Sequence, residues 1–414
     1  MTDSGGREHF GLSRLRVLAV IDSLGAGGAE FSLVEMLPRL TQLGIELRVV
    51  CLVRREEGAQ TEMERLGVAV QVLEAASRPA RLSELRTILR SARPDLVHTT
   101  LFESDVLGRL AAIGTGVPVV TSLVNVSYED VRLGDPNVRR WRLRSLQAID
   151  AVTARLFTHG FHALTQTVAD SSVRRLGIKA SKITVVPRSR GLERLRVSDP
   201  SQCRRTRSKL GIPPDAEVIL TVGRQEYQKG QRHLVEAFSN LAEKRPRAWL
   251  VIAGRAGNAS EDLQGAVGRA SGADRILVLG HRTDVPELLH AADVFAFPSL
   301  YEGLGGSLLE AMAAGLPIVA SDIPAIREVA DGTVLVAAPG DADQLENRLE
   351  RLFDDPALRR ALGILARRRF DQHPTLDQVA EHMAAWYRRN ARQSHSSTHR
   401  KKRRQLGQGS PGEQ

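Results

Sequence analysis

The sequence has few cysteines and few aromatic residues, and it has no long apolar run. Its two cysteines, Cys51 and Cys203, lie far apart and form no paired motif, which argues against a disulfide scaffold or a cysteine-ligated metal site. No apolar segment approaches the roughly 18 residues that a membrane-spanning helix needs. Residues 1–13 are polar and lack the apolar core of a signal peptide, so we expect a cytoplasmic protein.

Positive charge is concentrated near the C-terminus. The formal net charge is +10, and eight cations lie in a stretch that has no acidic residue: Arg388, Arg389, Arg392, Arg400, Lys401, Lys402, Arg403 and Arg404. Taking these eight from the total leaves about +2 for the rest of the chain. Residues 391–414 also lack aromatic side chains, so we expect a disordered basic tail there. Nucleic acid is not an expected partner, because only this tail would favour it.

Short apolar strands alternate with amphipathic helices through most of the chain. Predicted strands at 16–21, 217–222 and 294–297 are each followed by a glycine-containing loop and a helix. This alternation implies an α/β fold whose parallel sheets carry helices on both faces. At 414 residues and 42% hydrophobic content, the chain is long enough for two domains of roughly 150–200 residues each.

One stretch in the second half combines a strand, a turn and a helix around two carboxylates. Gly305 and Gly306 precede a helix-forming run, and Gly315 follows it at the position of a left-handed C-cap. Small residues at the helix start leave its backbone N–H groups open to an anion such as a diphosphate. Glu302 and Glu310 flank that start. Their placement suits hydrogen bonds to separate hydroxyls of a polyol ligand better than joint action on one glycosidic bond.

Two further loops place glycines or cations after a strand. Gly27 and Gly28 lie between the first predicted strand and a helix, where backbone amides can hold a phosphate. Arg224 and Lys229 bracket the loop after the strand at 217–222, where fixed cations can stabilise a departing diphosphate without a metal. The first loop also suggests a dinucleotide-binding turn. However, its glycines are not spaced G-x-G-x-x-G, and no acidic residue ends the second strand.

Together these motifs resemble those of a known enzyme family. The E-x7-E spacing of Glu302 and Glu310, within EG-x-G and EAMA-x-G-x-P, is similar to the donor-sugar motif of retaining GT-B glycosyltransferases of the family-4 type. The GGAE loop at Gly27 and the G-R-x4-K-G loop at Arg224 resemble the family's phosphate-binding loops. The resemblance covers residues 15–387. It implies a GT-B fold, with two Rossmann-like domains facing across a cleft, a nucleotide sugar as donor and no cofactor.

The resemblance also implies roles for particular residues. It implies that Glu302, Arg224 and Lys229 act in catalysis. It implies that a larger set binds the donor: Gly27, Gly28, Glu310, Gly305, Gly306, Ser307, Leu309, His281 and Arg282. It implies no metal ligand. The implied reaction transfers a glycosyl group, with retention of configuration, to a hydroxyl acceptor that is a glycan, a lipid-linked sugar or a small molecule.

The acceptor side departs from the family's pattern. Asn125 follows a predicted strand at a point where the family often has a histidine, and we predict that Asn125 and Tyr128 are on the acceptor side. We expect His98 to be a packed residue. Residues 187–191 read P-R-S-R-G in place of the family's P-N-G-V-D, so a pair of cations appears and the asparagine is lost. The sequence leaves the acceptor open.

The predicted domain boundaries follow from these elements. We predict a flexible N-terminus over residues 1–14 and a first, acceptor-binding domain over 15–195, with a linker that ends near Pro200. The second, donor-binding domain is predicted over 200–370. The family resemblance implies that a helix over 371–390 crosses back to the first domain.

Two alternatives remain open from the sequence. A sugar-nucleotide epimerase has the same architecture and acts on the free nucleotide sugar without an acceptor. The basic amphipathic stretch 137–157 can lie on an anionic membrane at the inner membrane face, or its basic face can simply be solvated.

Overall fold

The structure is a computed structural model, and it describes residues 14–25, 27–55, 58–191 and 201–406. Most of the predicted flexible N-terminus (residues 1–13) lies outside this description. The predicted linker up to residue 200 and the last part of the predicted tail, residues 407–414, also lie outside it.

The first half of the chain folds around a parallel sheet of strands β1 to β7. These are Leu15–Ser23, Ile45–Val53, Val70–Val72, Leu96–Thr100, Val119–Leu123, Gly160–Ala163 and Ile183–Val185. Helices α1 to α6 are Gly28–Gln42, Ala59–Arg65, Arg78–Ala92, Phe102–Ala112, Arg140–Phe157 and Gln166–Leu176. The strand order is β3-β2-β1-β4-β5-β6-β7, and all pairs are parallel. The order reverses between β1 and β4, which opens a crevice beyond their carboxyl ends.

The second half repeats this architecture with strands β8 to β13. These are Glu217–Val222, Ala248–Ala253, Ile276–Gly280, Val294–Phe297, Ile318–Ser321 and Leu335–Ala337. Helices α7 to α14 are Gln202–Lys209, Gln231–Lys244, Ser260–Arg269, Val285–Ala291, Gly306–Ala313, Pro324–Ala330, Ala342–Asp354 and Pro356–Asp371. The strand order is β10-β9-β8-β11-β12-β13, again with parallel pairs. Here the order reverses between β8 and β11.

Apolar strands make both sheets possible. Residues 17–21 of β1 are continuously apolar and at most 4% exposed, as expected for a strand that is covered by helices on both faces. In the second domain, Leu234, Phe238 and Leu241 recur at helical spacing on α8 and are fully buried against the sheet. Within the described residues, no helix combines the length and the apolar character that crossing a bilayer requires.

The last helix, α15 (Leu376–Leu406), packs on the first sheet although it follows the second in sequence. Its residues Val379, Met383, Trp386 and Tyr387 are buried in the first domain's core. The helix also continues past residue 391, where the sequence predicts disorder. The backbone can continue because no glycine or proline follows residue 387 until position 407, and arginine, lysine and glutamine favour helix.

Candidate active site

A cavity of about 1000 Å³ lies where the carboxyl ends of the two sheets face each other. Parallel sheets place their loops there, so the loops after β1, β5, β8 and β11 can all reach it. The two domains also contact each other beside the cavity. Thr165 Oγ1 donates a hydrogen bond to the Gly303 carbonyl oxygen at 2.8 Å, and Asn125 Nδ2 donates to Gln228 Oε1 at 3.3 Å.

The cavity gathers the predicted site residues, with one exception. The predicted site residues that line it are Gly27, Gly28, Asn125, Tyr128, Arg224, Lys229, His281, Arg282, Glu302, Gly305, Gly306, Ser307 and Glu310. Leu309 does not line it. Its side chain is 1% exposed, because it lies on the face of α11 that packs into the second domain's apolar core. Leu309 is therefore a core residue.

Glu302 and Lys229 form a buried ion pair in the loops after β11 and β8. The Lys229 ammonium donates to Glu302 Oε1, and Ser299 Oγ donates to the same oxygen at 3.1 Å. Glu302 is only 7% exposed. The Lys229 Nζ atom also lies 5.6 Å from the centre of the Phe297 ring, within range of a cation–π interaction. Each charge therefore compensates the other, and both side chains border the cavity.

Two helices begin at glycines on opposite sides of the cavity. Gly27 precedes α1 and Gly305 precedes α11, and neither glycine caps its helix with a side chain. At the start of α1 the Glu30 carboxylate lies beside Gly27 and accepts from its own backbone N–H. Gly305 has a φ of +91°, a conformation that glycine adopts without the strain of a side chain. Ser307 Oγ donates to the Val222 carbonyl oxygen at 2.8 Å and ties α11 to β8. Both helix starts can therefore accept an anion.

Glu310 contacts the first domain through Arg190. The Nε atom of Arg190 donates to Glu310 Oε1 at 2.9 Å. The Nη1 atom of the same side chain lies 3.0 Å from Ser32 Oγ and 3.2 Å from Glu35 Oε2, both on α1. This ion-pair cluster joins α1, the segment after β7 and α11.

Further cations stand at the ends of β8 and β9. Arg224 follows β8, is 42% exposed and lies 3.2 Å from Glu226. Arg255 follows β9 and lines the cavity; among the described residues, its buried Nε atom has no hydrogen-bond partner. The prediction did not include Arg255, although its position directly after a strand and a glycine could have indicated it.

His281 and Arg282 lie in the loop after β10, at the edge of the cavity. The Arg282 guanidinium forms a bidentate salt bridge with the Asp284 carboxylate. Its Nε donates to Oδ1 at 2.7 Å, and its Nη2 donates to Oδ2 at 2.5 Å. That pairing raises the pKa of Arg282 and lowers the pKa of Asp284. The Arg282 guanidinium is therefore held by Asp284, whereas His281 is exposed.

The acceptor-side predictions have different outcomes. Asn125 lines the cavity, and its Oδ1 accepts from the Val126 amide at 2.8 Å. Tyr128 also lines it, but its hydroxyl donates to Asp150 at 2.8 Å, so that hydroxyl is held by the protein. Burial and the Asp150 carboxylate raise the pKa of Tyr128. His98 is packed between β5 and the last helix, as expected: its Nε2 lies 2.7 Å from Ser122 Oγ.

Arg188 and Asp105 also line the cavity, and neither was among the predicted site residues. Arg188 was noted only as a departure from the family pattern, and Asp105 gave no signal because it lies within an ordinary helix pattern. Asp105 is on the first turn of α4 and is 7% exposed. Burial raises its pKa to about 8, and its Oδ1 atom has no hydrogen-bond partner within the described part of the chain.

The fold and the site define a class of protein. Two parallel α/β domains share a cleft that has open helix starts, several cations and two carboxylates. This is the GT-B architecture, as the motifs predicted.

Comparisons with known proteins agree with this class. The sequence model of the family described as glycosyl transferases group 1 matches residues 203–369, and that of the glycosyl transferase 4-like domain matches residues 27–189. The UDP-Gal:alpha-D-GlcNAc-diphosphoundecaprenol alpha-1,3-galactosyltransferase of Escherichia coli is 30% identical over 67% of this chain and 71% of its own length. The chain therefore belongs to the GT-B glycosyltransferases.

Two other similarities differ in what they cover. The 2-deoxystreptamine glucosyltransferase of Streptomyces kanamyceticus is 32% identical over 60% of this chain and 60% of its own length. The crystal structure of Anabaena HepE in complex with UDP-glucose superposes with a TM-score of 0.78 at 20% identity. It covers 90% of this chain and 99% of that one, which confirms the fold over both domains.

Proposed function

We propose that this protein transfers a glycosyl group from a nucleotide-diphosphate sugar to an acceptor hydroxyl, with retention of configuration and without a metal. The observation that carries the proposal is one cavity that holds Glu302, Lys229 and Arg224 together with the starts of α1 and α11. The names of the relatives from Escherichia coli and Streptomyces kanamyceticus describe a galactosyltransferase and a glucosyltransferase. They favour transfer over the epimerase alternative.

The charges in the cleft support an assignment of the donor's parts to particular residues. Arg224, Lys229 and the two helix starts supply positive charge for the diphosphate, which gains negative charge as the bond to the sugar breaks. Glu302, beside them, accepts hydrogen bonds from the sugar's hydroxyls. Glu310 accepts from the ribose, and the loop at His281 contacts the base through its backbone.

Retention follows from attack on the face that the diphosphate leaves. The bond between the anomeric carbon and the diphosphate oxygen breaks, the acceptor oxygen bonds to the same carbon, and the acceptor's proton passes to the departing diphosphate. No covalent sugar–enzyme intermediate is needed. Glu302 is held by Lys229 and Ser299, which suits a binding role more than that of a free nucleophile.

The outer face of α5 supports contact with an anionic membrane. Trp141 and Leu156 are 66% and 68% exposed, and Arg140 is exposed on the same helix. Arg142 and Leu146 of α5 line the cavity, so an acceptor carried in the membrane could reach it. Co-sedimentation with phosphatidylglycerol vesicles, but not with phosphatidylcholine vesicles, is expected for the wild type and not for the Trp141→Ala, Leu156→Ala double variant. Equal sedimentation of both proteins removes this part of the proposal.

The donor is tested with a panel of UDP-, GDP-, ADP- and dTDP-sugars, by thermal shift and by donor hydrolysis with EDTA present. One nucleotide sugar should stabilise the wild type, by a few kcal/mol at concentrations well above its Kd. Slow hydrolysis should accompany it. Glu310→Ala and Lys229→Ala should lose both effects, and the exposed control Glu261→Ala should keep them. No response to any nucleotide sugar refutes the proposal, and conversion of the free donor to an epimer replaces it with the alternative.

A further inference from the structure

Arg188 brings into the cleft a positive charge that is not paired directly with a carboxylate of the described residues. It follows β7 and lines the cavity, and within the described ranges no residue forms a hydrogen bond or an ion pair with its guanidinium. Its carbonyl oxygen accepts from His373 Nε2 at 2.7 Å, which fixes the backbone at this point. Arg190, two residues further on, is by contrast paired with both Glu35 and Glu310.

The Arg188 guanidinium lies against the start of α1. A Cβ atom on Gly28, the first residue of that helix, would lie only 3.0 Å from Arg188 Nη1. On the other side of the cleft, a Cβ atom on Gly306, the first residue of α11, would overlap with Arg190 Nη2. Two guanidinium groups therefore lie between two helix N-termini, which carry partial positive charge themselves.

This concentration of positive charge is electrostatically unfavourable within the protein itself. Burial and the charge of Arg190 lower the pKa of Arg188 to about 9, and the charges of Glu30, Glu302 and Glu35 only partly offset this. An arginine that has lost part of its preference for the charged form is stabilised again when an anion binds beside it. A multiply charged anion would also neutralise the repulsion between the helix starts.

We propose that Arg188 is a ligand of the donor's diphosphate, and that it completes from the first domain the anion site formed in the second by Arg224 and Lys229. The inference rests on the proposed nucleotide-sugar donor. A guanidinium offers two parallel N–H groups that match two phosphate oxygens. Because cations of both domains hold the same diphosphate, donor binding draws the two domains together. This role belongs to the P-R-S-R-G sequence at 187–191, where the resemblance leads one to expect an asparagine.

The test separates the diphosphate from the nucleoside. Isothermal titration with UDP, GDP and ADP identifies the base that binds, and the matching nucleoside monophosphate is then titrated as well. Arg188→Gln should weaken diphosphate binding by about 10- to 100-fold and monophosphate binding by less than about threefold. Arg188→Lys keeps the charge but loses the two parallel N–H donors of the guanidinium. Its affinity for the diphosphate should lie between that of the wild type and that of Arg188→Gln. The exposed control Arg247→Gln should bind like the wild type.

A second measurement distinguishes binding from a role in the fold. Without ligand, Arg188→Gln should unfold at the same temperature as the wild type or higher, since an unbalanced cation is removed; a structural arginine would show the opposite. The inference is overturned if Arg188→Gln binds the diphosphate as tightly as the wild type. It is also overturned if the variant loses diphosphate and monophosphate affinity equally. Wild-type protein that binds none of the three diphosphates instead refutes the proposed donor.

Discussion

At the scale of single residues, each carboxylate beside α11 is balanced by a cation from another part of the chain. Glu302 is held by Lys229, and Glu310 is held by Arg190. A carboxylate as buried as Glu302 keeps its charge only when a partner compensates for lost hydration. Both carboxylates of the candidate site are therefore paired with cations within the protein itself, which limits the electrostatic reorganisation that the proposed reaction would require.

Replacing Lys229 by methionine tests this organisation. The variant keeps most of the side-chain volume but leaves Glu302 without its cation, so the free energy of unfolding should fall by about 3 kcal/mol. The rate of transfer should fall by about 100- to 1000-fold, because one source of positive charge for the leaving group is lost. Chemical denaturation and a donor-consumption assay measure the two effects.

A matched control for this variant is Arg232→Gln. Arg232 pairs with Glu236 on the exposed side of α8 and is 50% exposed. Its loss should change stability by no more than about 0.5 kcal/mol and leave the rate unchanged. A Lys229→Met protein that transfers sugar at the wild-type rate would contradict the role given to the ammonium.

At the scale of elements, helix α15 connects the end of the chain to the first domain's core. Trp386 is 2% exposed and lies edge-on to His98, with ring centres 5.8 Å apart. The Tyr387 hydroxyl lies 2.8 Å from His98 Nδ1. The first domain is therefore completed by residues that follow the second domain, and the two cannot be separated at one point of the chain.

Truncating the buried tryptophan should destabilise the first domain. Trp386→Ala removes a fully buried aromatic side chain, and we expect a loss of about 3–5 kcal/mol in the free energy of unfolding. Trp141→Ala is the control, because Trp141 is 66% exposed on α5 and should cost no more than about 0.5 kcal/mol. Urea titration followed by circular dichroism compares them. A loss in Trp386→Ala as small as that in Trp141→Ala would mean that packing of α15 does not stabilise the first domain.

The histidines beneath this helix should make stability fall in acid. Burial lowers the pKa of His98 to about 3 and that of His162 to about 4, whereas an unfolded histidine titrates near about 6.5. Between those values the unfolded chain takes up protons that the folded chain does not. Each histidine should therefore lower the free energy of unfolding by about 1.4 kcal/mol per pH unit as the pH falls from 6.5 towards 4.

The variant His98→Gln isolates one of these contributions. At pH 7.5 it should be less stable than the wild type, by about 1–3 kcal/mol, because the bonds to Ser122 and Tyr387 are weakened. That difference should shrink as the pH is lowered from 6.5 to 5, since the variant has one fewer group to protonate on unfolding. Parallel stability curves for the two proteins over this range would rule the explanation out.

At the scale of the whole molecule, the two domains approach each other through bare backbone. A Cβ atom on Gly303 would overlap with the Val124 carbonyl oxygen of the first domain. Thr165 Oγ1 also donates to the Gly303 carbonyl oxygen across the same junction. The close approach of the two domains thus depends on the lack of a side chain at Gly303, which lies between Glu302 and the start of α11.

Gly303→Ala should hold the cleft open. The added methyl group forces the domains apart, so we expect a larger radius of gyration in X-ray scattering and transfer reduced by at least about tenfold. Each domain should keep its own fold. Gly268→Ala is the control: nothing lies within 4 Å of the added atom on α9, and alanine there should add up to about 1 kcal/mol of stability. An unchanged radius together with full transfer would show that the contact at Gly303 does not set the arrangement.

The sequence alone determined the architecture and most of the residues that meet in the candidate site. Alternating apolar strands and helices, glycines at helix starts and cations directly after strands are local patterns, and local patterns are read from consecutive residues. The order of strands then brings these loops together by a general rule for parallel sheets, without knowledge of any side-chain contact. For this reason the predictions at Gly27, Arg224, Glu302 and Gly306 all lie in one cavity.

Tertiary structure alone decided which side chains are partners. The pairs Lys229–Glu302 and Arg190–Glu310 join residues 73 and 120 positions apart, and no local pattern specifies them. Packing likewise placed Leu309 in the core. Whether a polar side chain forms bonds within the protein or remains available to a ligand depends on which groups lie next to it in the folded chain. Arg188 lines the cavity, and the carboxylates of Glu30, Glu302 and Glu35 act on it only through their charge.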